Sequence, residues 1–206
     1  MMDGMSDQLW ITGDTDTDGL LSSDPFALLV GMLLDQQYPM EHAFAGPRKI
    51  RDRLGSIDPH AVADADPDAF VTLATTPPAI HRYGRSMAGR VQALARVVVD
   101  EYDGDATQIW TTDGADGDAT GSEVLARLRA LPGFGEQKAK IFLALLGKQR
   151  GVEPSGWREA AGHYGDDGSR RSIADVTSAE SLQEVRAFKK AQKAAAKDAT
   201  SPAPRG

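Results

Sequence analysis

The 206-residue sequence contains no cysteine. Disulfides, thiolate zinc sites, thiol nucleophiles and a cysteine-ligated iron–sulfur cluster are therefore excluded within these residues. Aromatic residues make up only 6%, so each Trp, Tyr and Phe must be placed individually. No apolar run approaches the ~20 residues of a membrane-spanning helix. Residues 1–18 are acidic, unlike a signal peptide with a basic start and an apolar middle. A soluble cytoplasmic protein without membrane contact is the expectation. Strand-type alternation is also missing, and no internal repeat is visible.

Basic residues are scarce in the first half, with none before Arg48. The net charge of −7 is a sum over two unlike parts. Residues 1–126 hold 21 acids and 8 bases, whereas residues 127–206 hold 9 acids and 15 bases. Such asymmetry points to nucleic-acid contact by the basic part, with a solvated basic face as the alternative. The length suits one medium domain or two small lobes.

What is present reads as helix. Residues 1–23 are expected to be a flexible acidic segment. Within it, Asp14-Thr15-Asp16-Thr17-Asp18-Gly19 imitates the first half of a calcium loop, but the twelfth position, which needs a bidentate Glu, is Pro25. A solvated acidic turn is expected there. Asp24-Pro25 reads as an N-cap and first helical residue, and Phe26 to about Gln37 is apolar on nearly all sides, as a buried helix is. Its end changes abruptly to Asp35-Gln36-Gln37-Tyr38-Pro39. Residues 40–54 predict a helix broken near Gly46-Pro47. Asp58-Pro59 and Asp66-Pro67 each cap a short helix, and Ser86 is expected to cap a longer one reaching Tyr102. Residues 103–121 read as a loop with one turn near Ile109-Trp110. The last helix is expected to start from a capping box, Thr177 with Glu180.

Between these lies the most informative stretch. A capped amphipathic helix from Ser122 stops at Leu131-Pro132-Gly133-Phe134-Gly135, and a second runs from Glu136 to Leu146. So short a turn makes an αα-hairpin. The glycines allow positive φ and close backbone approach. Amides at the start of the second helix, backed by its dipole, form an anion site for which phosphate is a natural ligand. Lys138 and Lys140 add to the sign.

Leu131-Pro132-Gly133-Phe134-Gly135 with Glu136-Gln137-Lys138-Ala139 resembles the hairpin of the helix-hairpin-helix (HhH-GPD) DNA glycosylase superfamily of base-excision repair. Leu33-Leu34-Asp35-Gln36-Gln37 resembles the buried helix of that family, which ends in a glutamine filling the gap left by a flipped base. Tyr83-Gly84-Arg85-Ser86-Met87-Ala88 resembles the segment opening its next long helix. The whole is most similar to small actinobacterial-type members lacking an iron–sulfur cluster. The resemblance implies an all-α, two-lobed glycosylase fold over residues 24–188, with the hairpin at 122–147. Loss of the apolar stripe in the last helix reads as a basic, disordered tail at 189–206. The resemblance also implies a monomer that binds damaged or mismatched double-stranded DNA on the nucleoid. A monofunctional N-glycosylase is the expected activity, and a non-catalytic lesion-binding protein on the same scaffold is the alternative. A purely structural hairpin is the third reading. No cofactor is implied beyond a monovalent cation at the hairpin.

By the same resemblance, Gly133, Phe134, Gly135, Gln137, Lys138, Lys140 and Gln37 are the expected DNA contacts. Gln36, Tyr38 and Trp157 are assigned to the base pocket, with a place in the core as the alternative for the two aromatics. Tyr83 is a further stacking candidate, and His81 is expected to be a surface or satisfied histidine. Members that also cut the strand carry a nucleophilic lysine where this sequence has Gln137, and Lys138, about 100° round the helix, is expected to point elsewhere. Lyase activity is therefore not expected. The carboxylate that supports the sugar cation in the family falls on Ser155. Glu153 is the substitute candidate, with Asp166, Asp167 and Asp175 further on. Lys189, Lys190, Lys193 and Lys197 would follow phosphates or form a solvated helix end.

Overall fold

The computed structural model describes residues 8–111 and 119–199. Among the described residues every regular element is a helix, in keeping with the apolar periodicity. Parts of the expected N-terminal segment, the 103–121 loop and the tail lie outside the described residues.

Residues 8–23 are not a loose segment. Thr15–Ser23 forms helix α1, whose N-cap Asp14 accepts the Thr17 amide. Asp18, 2% exposed, accepts the amides of Thr12 and Gly13 and the Thr12 hydroxyl. Leu9, Ile11, Leu20 and Leu21 enter the core, and Arg48 pairs with Asp14 and Asp16. The calcium-loop imitation is thus the first turn of a helix. Its acidic character hid the anchoring leucines on either side.

Helix α2 (Pro25–Leu34) starts as expected, with Asp24 accepting the Ala27 amide. Every residue from Phe26 to Leu34 is buried. α2 is the central post, touching α1, α3 (Met40–Phe44), α4 (Gly46–Leu54) and α7 (Gly84–Tyr102). Burial of Met32, Leu33 and Leu34, each at 2% exposure or less, contributes roughly 1.5–3 kcal/mol per side chain. That holds the polar end of α2 in a fixed place. Helices α5 (Pro59–Asp64) and α6 (Pro67–Thr75) begin at the Asp58 and Asp66 caps and pack on α7. α7 begins at Gly84, two residues before the expected Ser86 cap, and no side chain caps it.

The second group is α8 (Gly121–Ala130), α9 (Glu136–Gln149) and the short α10 (Trp157–Ala161), mutually packed. Thr120, not Ser122, caps α8, in a reciprocal box with Glu123. Trp110, after a 3-10 turn at Ala106–Ile109, packs tilted on Phe142 of α9. Helix α11 (Ala179–Ala199) starts from a Ser178–Ser181 exchange rather than the Thr177–Glu180 box. Its Leu182 and Val185 are buried, Lys189 and Lys190 are exposed, and the helix runs to Ala199, into the first part of the 189–206 stretch expected to be disordered. α11 rests on the 3-10 turn Ile173–Asp175, and Arg186 reaches Glu41 of α3, so it bridges both groups. Among the described residues, no single helix is long and apolar enough to cross a membrane.

Candidate nucleic-acid interface and cleft

α8 ends in extended backbone at Leu131, and the amide of Phe134 closes the turn by donating to the Leu131 carbonyl at 3.1 Å. Gly133 sits at φ +79°, and a Cβ there would lie 2.3 Å from Leu33 Cδ1. The hairpin is therefore pressed directly onto α2. Phe134, expected on the DNA face, is instead 4% exposed and edge-on to Phe142. An aromatic flanked by two glycines can turn inward because neither neighbour fills the space, and here it pins the turn to the core. Gly135 differs from Gly133. Its backbone is extended, and a Cβ there would meet open space.

The first hydrogen bond of α9 runs from the Ala139 amide to the Gly135 carbonyl, and no side chain caps the helix. Amides of the first turn thus face outward at the positive end of the dipole, which is the anion site expected from the sequence. The lysines do not simply reinforce it. Lys140 pairs with Glu136 at 2.9 Å, and Arg129 reaches the same carboxylate at 3.0 Å. This cluster holds the Glu136 carboxyl below its usual range, chiefly through the Lys140 hydrogen bond.

The C-terminal end of α2 lies alongside. Gln37 is exposed in a left-handed conformation (φ +52°), and Arg82 donates to its Oε1 at 3.1 Å. Gln36 turns inward. Its Nε2 donates to the Leu33 carbonyl, and Arg90 donates to its Oε1. Beneath it, His81 is 1% exposed. The Tyr83 amide donates to Nδ1 at 3.0 Å, which assigns the ring hydrogen to Nε2, 3.0 Å from the Gln36 carbonyl. Burial pushes the His81 pKa down, keeping this neutral form. Tyr38 tilts over the ring at 4.6 Å, whereas Tyr83 is 52% exposed with Arg82 against its face. His81 is thus the satisfied histidine of the two readings.

Between these parts opens a cleft of about 600 Å³, within the ~300–1,000 Å³ of small-ligand sites. The end of α2 contributes Asp35, Gln36, Gln37 and Tyr38, and α9 contributes Gln137, Lys138 and Ile141, beside Gly135. His163 and Tyr164 close one side, with Arg171, Lys189 and Gln192 at the mouth. Gln137 Nε2 donates to the Tyr164 hydroxyl at 2.9 Å. Lys138, expected on the DNA face and away from the cleft, lines it and donates to the Leu33 carbonyl at 2.8 Å. Burial lowers its pKa to about 8, against the pull of Asp35. The side chain turns because the last carbonyls of α2 need donors.

Two expected site residues are elsewhere. Trp157 is 6% exposed and lies so close to Gly147 that a Cβ there would be 2.7 Å from its ring. It fills the α8–α9–α10 core rather than a base pocket. Glu153 is exposed on the loop after α9, absent from the cleft lining. The cleft meets the other end of this 14-residue helix, about 20 Å away along its axis. The later acidic candidates lie outside the cleft lining too. Asp167 pairs with Arg158, while Asp175 pairs with Lys148 and accepts the Arg171 and Ser172 amides. Asp166 supplies its carbonyl to Lys148. Ser155 supplies its carbonyl to the Gly121 amide.

The carboxylate that does line the cleft is Asp35, which sequence reasoning passed over as part of a polar cluster. A signal was present, since an acid ending a buried helix opposes the helix dipole. His163, Tyr164, Arg171 and Gln192 carried no such signal, because their convergence depends on how α10 and α11 fold back. A second depression, of about 510 Å³, holds Asp24, Asp58 and Asp105, each already capping a helix or turn. Among the described residues no group of His, Asp and Glu is placed to hold a metal ion.

Fold and site together define an all-helical protein in which an αα-hairpin and the end of a core helix share one cleft. Residues 30–204 match the family model for HhH-GPD superfamily base excision DNA repair proteins, and the chain belongs to that family. No curated protein and no solved structure gives a significant match. Membership makes this a DNA-binding base-excision repair protein in a family made up mostly of DNA glycosylases.

Proposed function

We propose that the protein is a monofunctional DNA N-glycosylase that draws a damaged base into the cleft and hydrolyses its bond to the sugar. The observation that carries this reading is that Gln37 and Gly135 border the same cleft. An outward amide turn can fix a phosphate at one rim while a glutamine in a left-handed turn enters the duplex at the other. Base flipping costs a few kcal/mol in unpairing and unstacking, and those two contacts offset it together. Water is the nucleophile. Gln137 occupies the position at which strand-cutting relatives carry lysine, and the Lys138 amine is engaged with the Leu33 carbonyl. The protein acts as a monomer on the nucleoid, within a branch of the family lacking the iron–sulfur cluster, and no metal or cofactor takes part in the reaction.

Binding is local and salt-sensitive, since the base surplus lies after residue 126 and phosphate contacts weaken steeply with salt. The test is a base-release assay over duplexes carrying alkylated purines, uracil or oxidised bases, alongside binding to a duplex with a tetrahydrofuran abasic site. Release of a base with the strand left intact supports the glycosylase. Tight abasic-site binding without any release supports the second reading, a lesion-binding protein, which is favoured by Ser155 at the family's carboxylate position.

A further inference from the structure

We propose that Asp35 is the carboxylate that stabilises the sugar cation as the base departs, in place of the residue aligned with Ser155. This rests on the glycosylase reading and names the group that would perform its central step.

Three observations converge on Asp35. It caps α2 two residues before Gln37 and lines the cleft with Gln137 and Tyr164. A nucleotide displaced by Gln37 therefore has its sugar at the level of Asp35. Next, among the described residues its carboxylate accepts no hydrogen bond, whereas Asp18, Asp167 and Asp175 are each held by amides or an arginine or lysine. A carboxylate left available beside a cleft can meet a ligand without first breaking a contact. Finally, its position is unfavourable for the fold. It sits at the negative end of a buried helix, and burial pushes its pKa up while Lys189 and Lys138 oppose the shift. A group retained against both effects is the pattern of a residue kept for chemistry rather than for stability.

The step balances without a co-reactant other than water. The C1′–N bond breaks and its electron pair leaves with the base, so positive charge develops on the sugar. The Asp35 anion stands against that charge in a partly enclosed site, where electrostatic stabilisation exceeds its value in water. Water then forms the C1′–O bond and loses one proton, and the departing base takes one up. Asp35 ends the cycle unchanged.

Asp35→Asn, nearly isosteric, tests the assignment with three readouts. On whichever lesion duplex the wild-type protein processes, single-turnover base release should fall roughly 10²–10³-fold. Affinity for the tetrahydrofuran duplex should stay within threefold, and the melting temperature should be unchanged or raised because a negative charge is removed from the negative end of a helix. Asp35→Glu, which displaces the carboxylate by one methylene, should recover part of the rate. Base release by Asp35→Asn within threefold of wild type overturns the assignment and leaves the glycosylase reading standing. Parallel loss of release, binding and melting temperature overturns it in favour of a structural role. Absence of release by the wild-type protein on every lesion overturns the glycosylase reading and this assignment together.

Discussion

The two hairpin glycines separate a structural turn from a DNA-contacting one, because the fold treats them in opposite ways. Gly133→Ala places a methyl-bearing residue at φ +79° and its Cβ 2.3 Å from Leu33 Cδ1. The left-handed conformation costs about 1–2 kcal/mol. Leu33, 0% exposed, has no solvent to move into, so the overlap adds about 1–3 kcal/mol of overpacking. A total of about 2–5 kcal/mol corresponds to a fall of roughly 5–15 °C in melting temperature for a domain of this size. Gly135→Ala meets neither penalty, since its backbone is extended and the space around its Cβ is open. Its stability should stay within about 1 kcal/mol of wild type. The methyl group would, however, stand where a phosphate approaches the first amides of α9. Loss of an amide–phosphate bond of about 1.4 kcal/mol is a tenfold loss of affinity. Urea unfolding and fluorescence anisotropy on a tetrahydrofuran duplex, at one salt concentration, measure both quantities. If Gly135→Ala binds within twofold of wild type, the hairpin does not grip phosphate through this turn. If Gly133→Ala loses less than about 1 kcal/mol, the packing argument is wrong.

Trp157→Ala should destabilise by about 3–5 kcal/mol through the cavity it leaves, while the folded fraction keeps its affinity for the abasic duplex. A binding defect at unchanged stability would return the ring to the pocket. Glu153→Gln should leave base release at the wild-type rate, and a hundredfold loss would show that the loop after α9 reaches the cleft. The acid side of the stability profile should depend on His81. Its folded pKa lies below the ordinary 6.5 through burial, so below about pH 6.5 the unfolded chain binds a proton that the native ring refuses. Stability is complete above that pH and falls progressively as the pH drops towards the native value. In thermal melts between pH 7 and 5, His81→Gln should flatten that slope, and an unchanged slope would refute the neutral-ring assignment.

Local chemistry made much of the fold readable from the chain. Asp24, Asp58 and Asp66 before proline announce their helices, because a cap and a fixed φ act within four residues. The unbroken apolar surface of α2 identifies a buried helix, since no solvated face would carry it. Gly133 marks the hairpin for a similar local reason: the sharp reversal between the two helices places it at φ +79°, a conformation that favours glycine. What lay beyond reach is whatever depends on which surfaces meet. Phe134 and Trp157 have the composition of stacking residues, but only the packing of α8, α9 and α10 shows that both rings are consumed by the core. Lys138 looked like a surface cation until the carbonyl ends of α2 were placed beside it. Asp35 was one polar residue among four at a helix end. It became the cleft's carboxylate because α9, the 3-10 turn Gly162–Tyr164 and α11, more than 100 residues later in the chain, close around it. Side-chain type and short-range spacing are properties of the chain, whereas burial, pairing and shared access to a cleft are properties of distant surfaces brought together.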